Sequence, residues 1–327
     1  MEHFRTNRLR VLFAAVRVLL VVNPAASSVT TRARVAIERT LRDAFPVDVR
    51  ETTRRDHARE IAHDAVREGF DVVAVLAGDG TLNEAADGLA GSDIPLAPLP
   101  GGSTNVFART LGVAYDPVVA AEHLVGAVTA RSFRRIGLGA ATPPGRDRRH
   151  FLFHLGVGFD AAIIRQMEQR SYLKRHFAHP AFAIATIDTW LRHYPRDLRI
   201  RVEVVGDDGV GEAAEGPYAV ISNSDPYTYV GRRRMSIAPE ASLDRALAVT
   251  VLASLRAGLL VPATGSAVGT ARFVERSPGI VQVADVSAIT VSADRPFPWQ
   301  VDGDYLGEVD HLDVGYEPDQ LTLVVPV

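Results

Sequence analysis

Residues 71–84 read Asp-Val-Val-Ala-Val-Leu-Ala-Gly-Asp-Gly-Thr-Leu-Asn-Glu, an apolar, β-branched run that ends abruptly in Gly78-Asp79-Gly80-Thr81. A strand buried on both faces has this texture. Two glycines permit a tight turn and a close approach of backbone to ligand. Leu82 to Leu89 is predicted helical. A strand, a glycine turn and a helix start together present unpaired N–H groups that favour an anion. Asp79 and Thr81 add a polar handle for a metal or a phosphate, so the chemistry indicated is that of a nucleotide. A second turn, Pro100-Gly101-Gly102-Ser103-Thr104-Asn105, closes the next predicted strand. Neighbouring strand ends would bring both turns to one rim. Taken alone, an Asp-Gly turn is also an ordinary surface turn. Neither G-x-x-x-x-G-K-[ST] nor G-x-G-x-x-G after a first strand occurs, and the protein-kinase set is absent.

The elements that must carry these turns alternate over the first third of the chain. Arg17 to Val22 is the first buried strand, ending in Asn23-Pro24. Thr31 to Ala44 is an amphipathic helix with Ala33, Ile37, Leu41 and Ala44 on one stripe. Val47 to Glu51 is a short strand, and a helix follows from Asp56, its expected N-cap, to Glu68. Asp71–Ala77 and Ile94–Pro98 are strands, and helices start near Val106 and Pro117. This alternation predicts a parallel sheet flanked by helices, with ligands at the carboxyl ends of its strands. After about Ser132 short strand-like runs dominate, broken by Gly, Pro and Asp, and predict a mostly antiparallel β-rich part. Apolar helices are expected at about Phe177–Tyr194 and Arg256–Val274, and a solvent loop at Gly139–Arg149. The 327 residues suit about two domains: residues 15–131 and 132–327, with 1–14 as an extension and the C-terminal tail able to pack back on the first domain. No run is long and apolar enough to span a membrane. A net charge of −3 gives no basic field for nucleic acid. No cysteine is present, which excludes disulfides and suits a cytoplasmic setting.

The two turns, with four further segments in order, resemble the diacylglycerol kinase catalytic-domain family, which includes sphingosine and ceramide kinases. The matching residues are Asn23-Pro24, Ala77 to Glu84, Gly102 to Arg109, Gly156-Val157-Gly158-Phe159-Asp160-Ala161, Ala238-Pro239-Glu240-Ala241-Ser242-Leu243-Asp244 and Val301-Asp302-Gly303-Asp304. They span nearly the whole chain and are most similar to the bacterial members without added modules. The resemblance implies an α/β nucleotide domain of phosphofructokinase and NAD-kinase kind, a sandwich-like β-rich second domain, and a cleft where ATP and lipid meet. It further implies an ATP- and Mg2+-dependent kinase acting on a diacylglycerol-like hydroxyl. Carried over residue by residue, the nucleotide would meet Asn23, Pro24, Thr52, Gly78, Asp79, Gly80, Thr81, Asn83, Glu84, Gly102, Ser103, Thr104 and Asn105. Asp302 and Asp304 would be the catalytic acidic pair, with Asp304 in place of the family's Glu. By position alone Asp302-Gly303 is equally a hairpin turn. Metal ligation falls to Asp79 and, at a second-domain magnesium site, to Asp160 and Asp244. Arg245 stands where that site expects an Asp, and a guanidinium ligates no cation; pairing of Arg245 with Asp160 is one expectation. Ala77 replaces the first family glycine and requires a negative φ. Val106 replaces an Asp.

Some readings stay open at this level. A sphingoid-base or other lipid alcohol kinase, an NAD kinase, or a non-catalytic nucleotide- or lipid-binding relative fits parts of the pattern. The Gly-x-Gly-Phe-Asp segment argues against NAD kinase. His150 and His154, four apart on a strand, read as solvated or capping residues rather than metal ligands, as do His176 and His179. Tyr172 to Trp190 mixes Lys174, Arg175 and His176 with Phe177, Phe182, Ile187 and Trp190. It suits either core packing or peripheral contact with an anionic inner-membrane face. Arg232-Arg233-Arg234 is a second basic cluster. The oligomeric state, a homodimer included, is open.

Overall fold

The computed structural model describes residues 16–169, 186–194, 198–205 and 211–327. The expected extension 1–14 and most of the basic-apolar segment, 170–185, lie outside these residues. The first part runs β1 Val18–Val22, α1 Thr31–Ala44, β2 Val47–Glu51, α2 His57–Glu68, β3 Val72–Ala77, α3 Asp79–Leu89, β4 Leu96–Pro100, α4 Val106–Thr110 and α5 Pro117–Thr129. Its strands pair in parallel, in the order β2-β1-β3-β4. β1 shows why its sequence has no polar alternation. Leu19 and Val21 pack on one side against Ile61 and Ala62 of α2 and Leu89 of α3. Val18, Leu20 and Val22 pack on the other against Ile37 and Leu41 of α1 and Leu124 of α5. A period of two with both faces covered demands an apolar residue at every position.

The second part runs β5 Phe133–Thr142, β6 Arg149–Phe151, β7 His154–Gly158, α6 Phe159–Gln169, β8 Ile200–Val204, β9 Ala213–Gly216, β10 Tyr218–Ser222, β11 Thr228–Val230, β12 Arg233–Met235 and β13 Leu247–Leu252. It ends with α7 Ala257–Ala267, α8 Arg272–Arg276, β14 Ile280–Val286, β15 Ala288–Val301 and β16 Asp304–Val324. The order β14-β13-β10-β7-β15-β16 is antiparallel throughout, and a core of Phe151, Phe159, Phe297 and Trp299 lies beneath it. The far end of β16 then pairs in parallel with β4, Leu323 beside Leu96, so one continuous sheet joins both parts.

Several expected boundaries move. The strand expected at Ile94–Pro98 is Leu96–Pro100. The loop expected from Gly139 is still strand to Thr142, because β5 pairs with β16 as far as Asp313. His150–Val157 is two strands, not one, and Leu152-Phe153 between them turns its N–H groups on Asp302. Where the sequence predicts only short strand-like runs, β15 and β16 are two long strands joined at Asp302-Gly303. Arg256–Val274 is two helices, interrupted at Ala271 with φ 58°. Asp56 sits at the start of α2 but makes no side-chain cap; its carboxylate pairs with Arg149 instead.

Candidate active site

β3 ends at Ala77, and α3 begins two residues later at Asp79, so Asp79, Gly80 and Thr81 form the first helical turn rather than a loop before it. Gly78 is the N-cap and offers no capping side chain. The first N–H groups of α3 therefore point outward without intrahelical partners. Asn23, at the end of β1, donates from Nδ2 to Thr81 Oγ1 at 2.9 Å. The second glycine loop packs backbone to backbone on the first: a Cβ on Gly102 would lie 2.7 Å from Gly78 Cα. Asn105, with φ 48°, locks that loop by accepting from Gly102 N and donating to Gly102 O, both at 2.8 Å. Ala77 is absent from the positive-φ residues, so its Cβ costs nothing there.

Four carboxylates surround these loops, and each is held differently. Asp79 accepts from Val106 N at 2.9 Å and Phe107 N at 3.1 Å, capping α4 and tying the two loops together. Burial pushes its carboxyl up, and those N–H donors pull it down. Glu84 accepts from Asp56 N and Ala58 N, supplying the cap of α2 that Asp56 does not. Its carboxyl is raised by burial and by the nearby Asp304 charge. Asp302, with φ 48°, accepts from Leu152 N at 2.7 Å, Phe153 N at 3.1 Å and His154 N at 2.8 Å. Burial, with a contribution from Asp79, pushes Asp302 up to about 8 against those three donors. Asp304 faces the glycine turn directly: a Cβ on Gly80 would lie 3.2 Å from Asp304 Oδ2.

These groups line the mouth of a single cavity of about 1190 Å³. Thr52, Arg54, Arg55, Ser103 and Thr104 complete the polar end. The other end runs into the β-rich part between α6, α7 and strands β10 and β13. It is walled by Phe159, Met167, Trp190, Ile237, Leu252 and Val274. Asp302-Gly303-Asp304 sits where the polar end meets the apolar chamber.

A profile of the diacylglycerol kinase catalytic domain matches residues 17–134. A profile of the YegS C-terminal NAD kinase beta sandwich-like domain matches residues 154–325, more than half of the chain. The chain belongs to the diacylglycerol kinase catalytic-domain family. A diacylglycerol kinase of Mycobacterium tuberculosis (strain ATCC 25618 / H37Rv) is 35% identical over 107 residues, 32% of this chain and 33% of that protein. The chain thus spans about a third of that relative's length in the match. A crystal structure of a diacylglycerol kinase from Bacillus anthracis str. Sterne superposes with TM-score 0.66 at 22% identity, covering 95% of this chain and 97% of the other. An NAD kinase from Archaeoglobus fulgidus in complex with ATP superposes with TM-score 0.53 at 13% identity, covering 95% and 94%. These two likenesses establish the shared fold.

Not every residue matched to the family pattern reaches the cavity. Asn23, Thr52, Gly78, Asp79, Gly80, Thr81, Glu84, Gly102, Ser103, Thr104, Asp160, Asp302 and Asp304 line it. Pro24 is exposed in the turn after β1. Asn83 is buried and donates to His150 O on the far side of α3. Asn105 shapes its loop from behind. The family's second-domain magnesium site does not assemble. Asp160 is buried, accepting from Tyr227 Oη at 2.7 Å and Gln300 Nε2 at 2.8 Å. Asp244 is exposed and pairs with Arg134. Arg245 turns away from Asp160 to Glu240 at 3.1 Å and Asp285 at 3.4 Å. Among the described residues no three His, Asp or Glu side chains gather to hold a metal alone.

His150 and His154 are neither solvated nor capping, while His176 and His179 lie outside the described residues. His150 is buried in an ion cluster, Nδ1 2.7 Å from Asp87 Oδ1 and Nε2 3.2 Å from Glu317 Oε2, with Arg59 on Asp87 at 3.0 Å. His154 is buried on a different strand, in the cavity wall. The sequence reading also passed over Arg54 and Arg55, although they directly follow Thr52-Thr53. Arg109 lies 3.5 Å over the Tyr229 ring and donates to Gly231 O, bridging the cleft.

Proposed function

We propose that this protein is an ATP-dependent lipid kinase that transfers the γ-phosphoryl group to the hydroxyl of a diacylglycerol-like lipid, giving a phosphatidic-acid-like product. The observation that carries this reading is the single cavity that runs from the two glycine loops into an apolar chamber, with an acidic turn at the junction. Backbone N–H groups at the start of α3, Thr81 and the Ser103-Thr104 hydroxyls suit a triphosphate. The hydroxyl of the lipid enters from the apolar side, its oxygen attacks the γ-phosphorus, the bond to the β-phosphate oxygen breaks, and the proton passes to Asp304. Asp302, whose two oxygens accept from three N–H groups, is badly placed to take that proton and instead fixes the turn. Phosphoryl transfer is chiefly positioning and charge neutralisation. Magnesium entering with the nucleotide would supply the neutralisation. Its ligands would be phosphate oxygens plus Asp79, whose two oxygens each keep a lone pair.

No helix among the described residues is long and apolar enough to cross a membrane. We propose peripheral access to the bilayer at the cytoplasmic face, on the character of the cavity rim. Ile187, Val230 and Val261 line the cavity yet are 57%, 44% and 65% exposed. Arg192 lies five residues after Ile187, and Arg232 and Arg233 follow shortly after Val230; all three are exposed. An apolar rim with basic neighbours suits an anionic lipid surface. The deciding experiment is ATP consumption with a panel of lipid alcohols in detergent micelles. Turnover with a diacylglycerol is expected; no ATP use with every alcohol tested would overturn the assignment.

A further inference from the structure

His154 is a buried polar side chain of the cavity wall that the transfer chemistry does not use. His154 is 5% exposed, opens β7, and lines the cavity where the acidic turn meets the apolar chamber. Its backbone is pinned to that turn: N–H donates to Asp302 Oδ1 at 2.8 Å, and the carbonyl accepts from Asp302 N at 2.9 Å. Its ring stacks on Tyr227 with centroids 4.3 Å apart. Tyr227 is itself tied back to the same turn. Its hydroxyl donates to Asp160, Gln300 Nε2 donates to the other Asp160 oxygen, and Gln300 Oε1 accepts from Gly303 N, at 2.7, 2.8 and 2.8 Å. Gly156 leaves the space for this chain, since a Cβ there would fall 1.8 Å from Asp160 Oδ2. The imidazole is thus held at a set position relative to Asp304.

Yet the ring has no hydrogen bond among the described residues. Nδ1 is sealed from solvent without a partner, whereas Nε2 is not among the sealed, unpartnered atoms. Buried polar groups are normally partnered, so an unpartnered one in a cavity wall points to a ligand. Burial drives the imidazole down to about 3, so it is neutral, with one N–H and one lone pair. A proton on Nδ1 would be a sealed N–H without an acceptor, the rarer kind of orphan in folded proteins. The proton accordingly belongs on Nε2, facing the cavity.

We propose that His154 is a specificity-determining residue for the acceptor: Nε2–H donates one hydrogen bond to an uncharged oxygen, of the ester-carbonyl kind, next to the reacting hydroxyl. This rests on the lipid-kinase reading and narrows it to neutral glycerolipids. An ammonium has only donors to offer, so a long-chain amino alcohol meets donor with donor. An ether oxygen is a weaker acceptor than a carbonyl. A buried donor left unpaired discriminates strongly against an analogue that lacks the matching group.

The test compares a diacylglycerol, its dialkyl-ether analogue and a long-chain amino alcohol in mixed micelles. The enzyme forms are the parent, His154→Phe and His154→Gln. The parent should favour the ester over the ether by about tenfold or more in kcat/KM, chiefly through KM. His154→Phe should lose that preference, its kcat/KM with the ester falling to that with the ether, and His154→Gln, which keeps a donor, should restore much of it. No ester preference in the parent, survival of the preference in His154→Phe, or preference for the amino alcohol would each overturn the inference. If no alcohol consumes ATP, the kinase reading fails separately. The inference is then decided by titrating the two glycerolipids against the fluorescence of Trp190 in the cavity wall. Tighter ester binding lost in His154→Phe supports it, and equal binding refutes it.

Discussion

Only Gly303 separates Asp302 from Asp304, yet their carboxylates meet different surroundings. Asp302 is a buried acceptor of three backbone N–H groups, while Asp304 faces Gly80 across the cleft. Asp304→Asn should therefore cut kcat by about 100-fold or more and cost less stability than the same change at Asp302. Asp302→Asn puts an amide where a carboxylate accepts, and should cost about 2 kcal/mol of stability in chemical denaturation. Equal stability losses in the two variants would contradict the division of roles. Asp160 gives a pH signature. Burial raises its carboxyl to about 6, with Tyr227 and Gln300 pulling it down. A raised acid binds its proton more tightly in the folded state, so its contribution to stability is present below the ordinary carboxylate range. That contribution is lost as pH rises to about 6. The difference in unfolding free energy between the parent and Asp160→Asn should fall by up to about 3 kcal/mol between pH 4 and 6 and then level off. A flat difference across that window would place the carboxyl at its ordinary value.

Two helix starts and one loop-on-loop contact build the phosphate end. Gly102 has no space for a side chain against Gly78, so Gly102→Ala must push the two loops apart. The expected result is weaker nucleotide binding by calorimetry, with an overpacking cost of about 1–3 kcal/mol. Asp79 shows how much an element can add to a residue's role. The sequence alone suggests a phosphate or metal contact, and Asp79→Ala should then silence the enzyme in an intact fold. Because Asp79 also caps α4, the same change should lower stability by about 1–2 kcal/mol. Loss of activity with an unaltered denaturation midpoint would argue against the capping role. Glu84 is a parallel case, since its carboxylate lines the cavity and also serves the start of α2.

Across the whole molecule, the sheet that passes from β4 to β16 makes the two parts one body and sets the acidic turn over the glycine loops. The apolar rim belongs to this scale too. Val261→Asp should reduce co-sedimentation with anionic vesicles while leaving ATP use on micellar lipid near the parent rate. Unchanged vesicle binding would remove α7 from the membrane face. Chelation of magnesium should stop phosphoryl transfer but leave the melting temperature unchanged. The reason is that Asp160 and Asp244 are satisfied by Tyr227, Gln300 and Arg134 rather than by an ion.

The parallel half was legible because its cause is local. A strand covered on both faces must be apolar at every position, and a glycine turn at its end announces a close backbone approach. The β-rich half was less so: β15 and β16 carry bulges and solvent-facing polar positions that break their periodicity. α6 was missed because it starts inside the Gly156-to-Ala161 motif. By itself the sequence determined the fold class, the family and the residues that rim the cleft. Only the tertiary structure decided which of those residues turn into it. That choice depends on long-range partners, such as Asp302 on Leu152, Asp160 on Tyr227 and Arg245 on Asp285, whose spacing along the chain carries no periodic trace. It also moved His154 from an expected solvated or capping residue to the cavity wall, because burial is a property of the packed molecule and not of the residue.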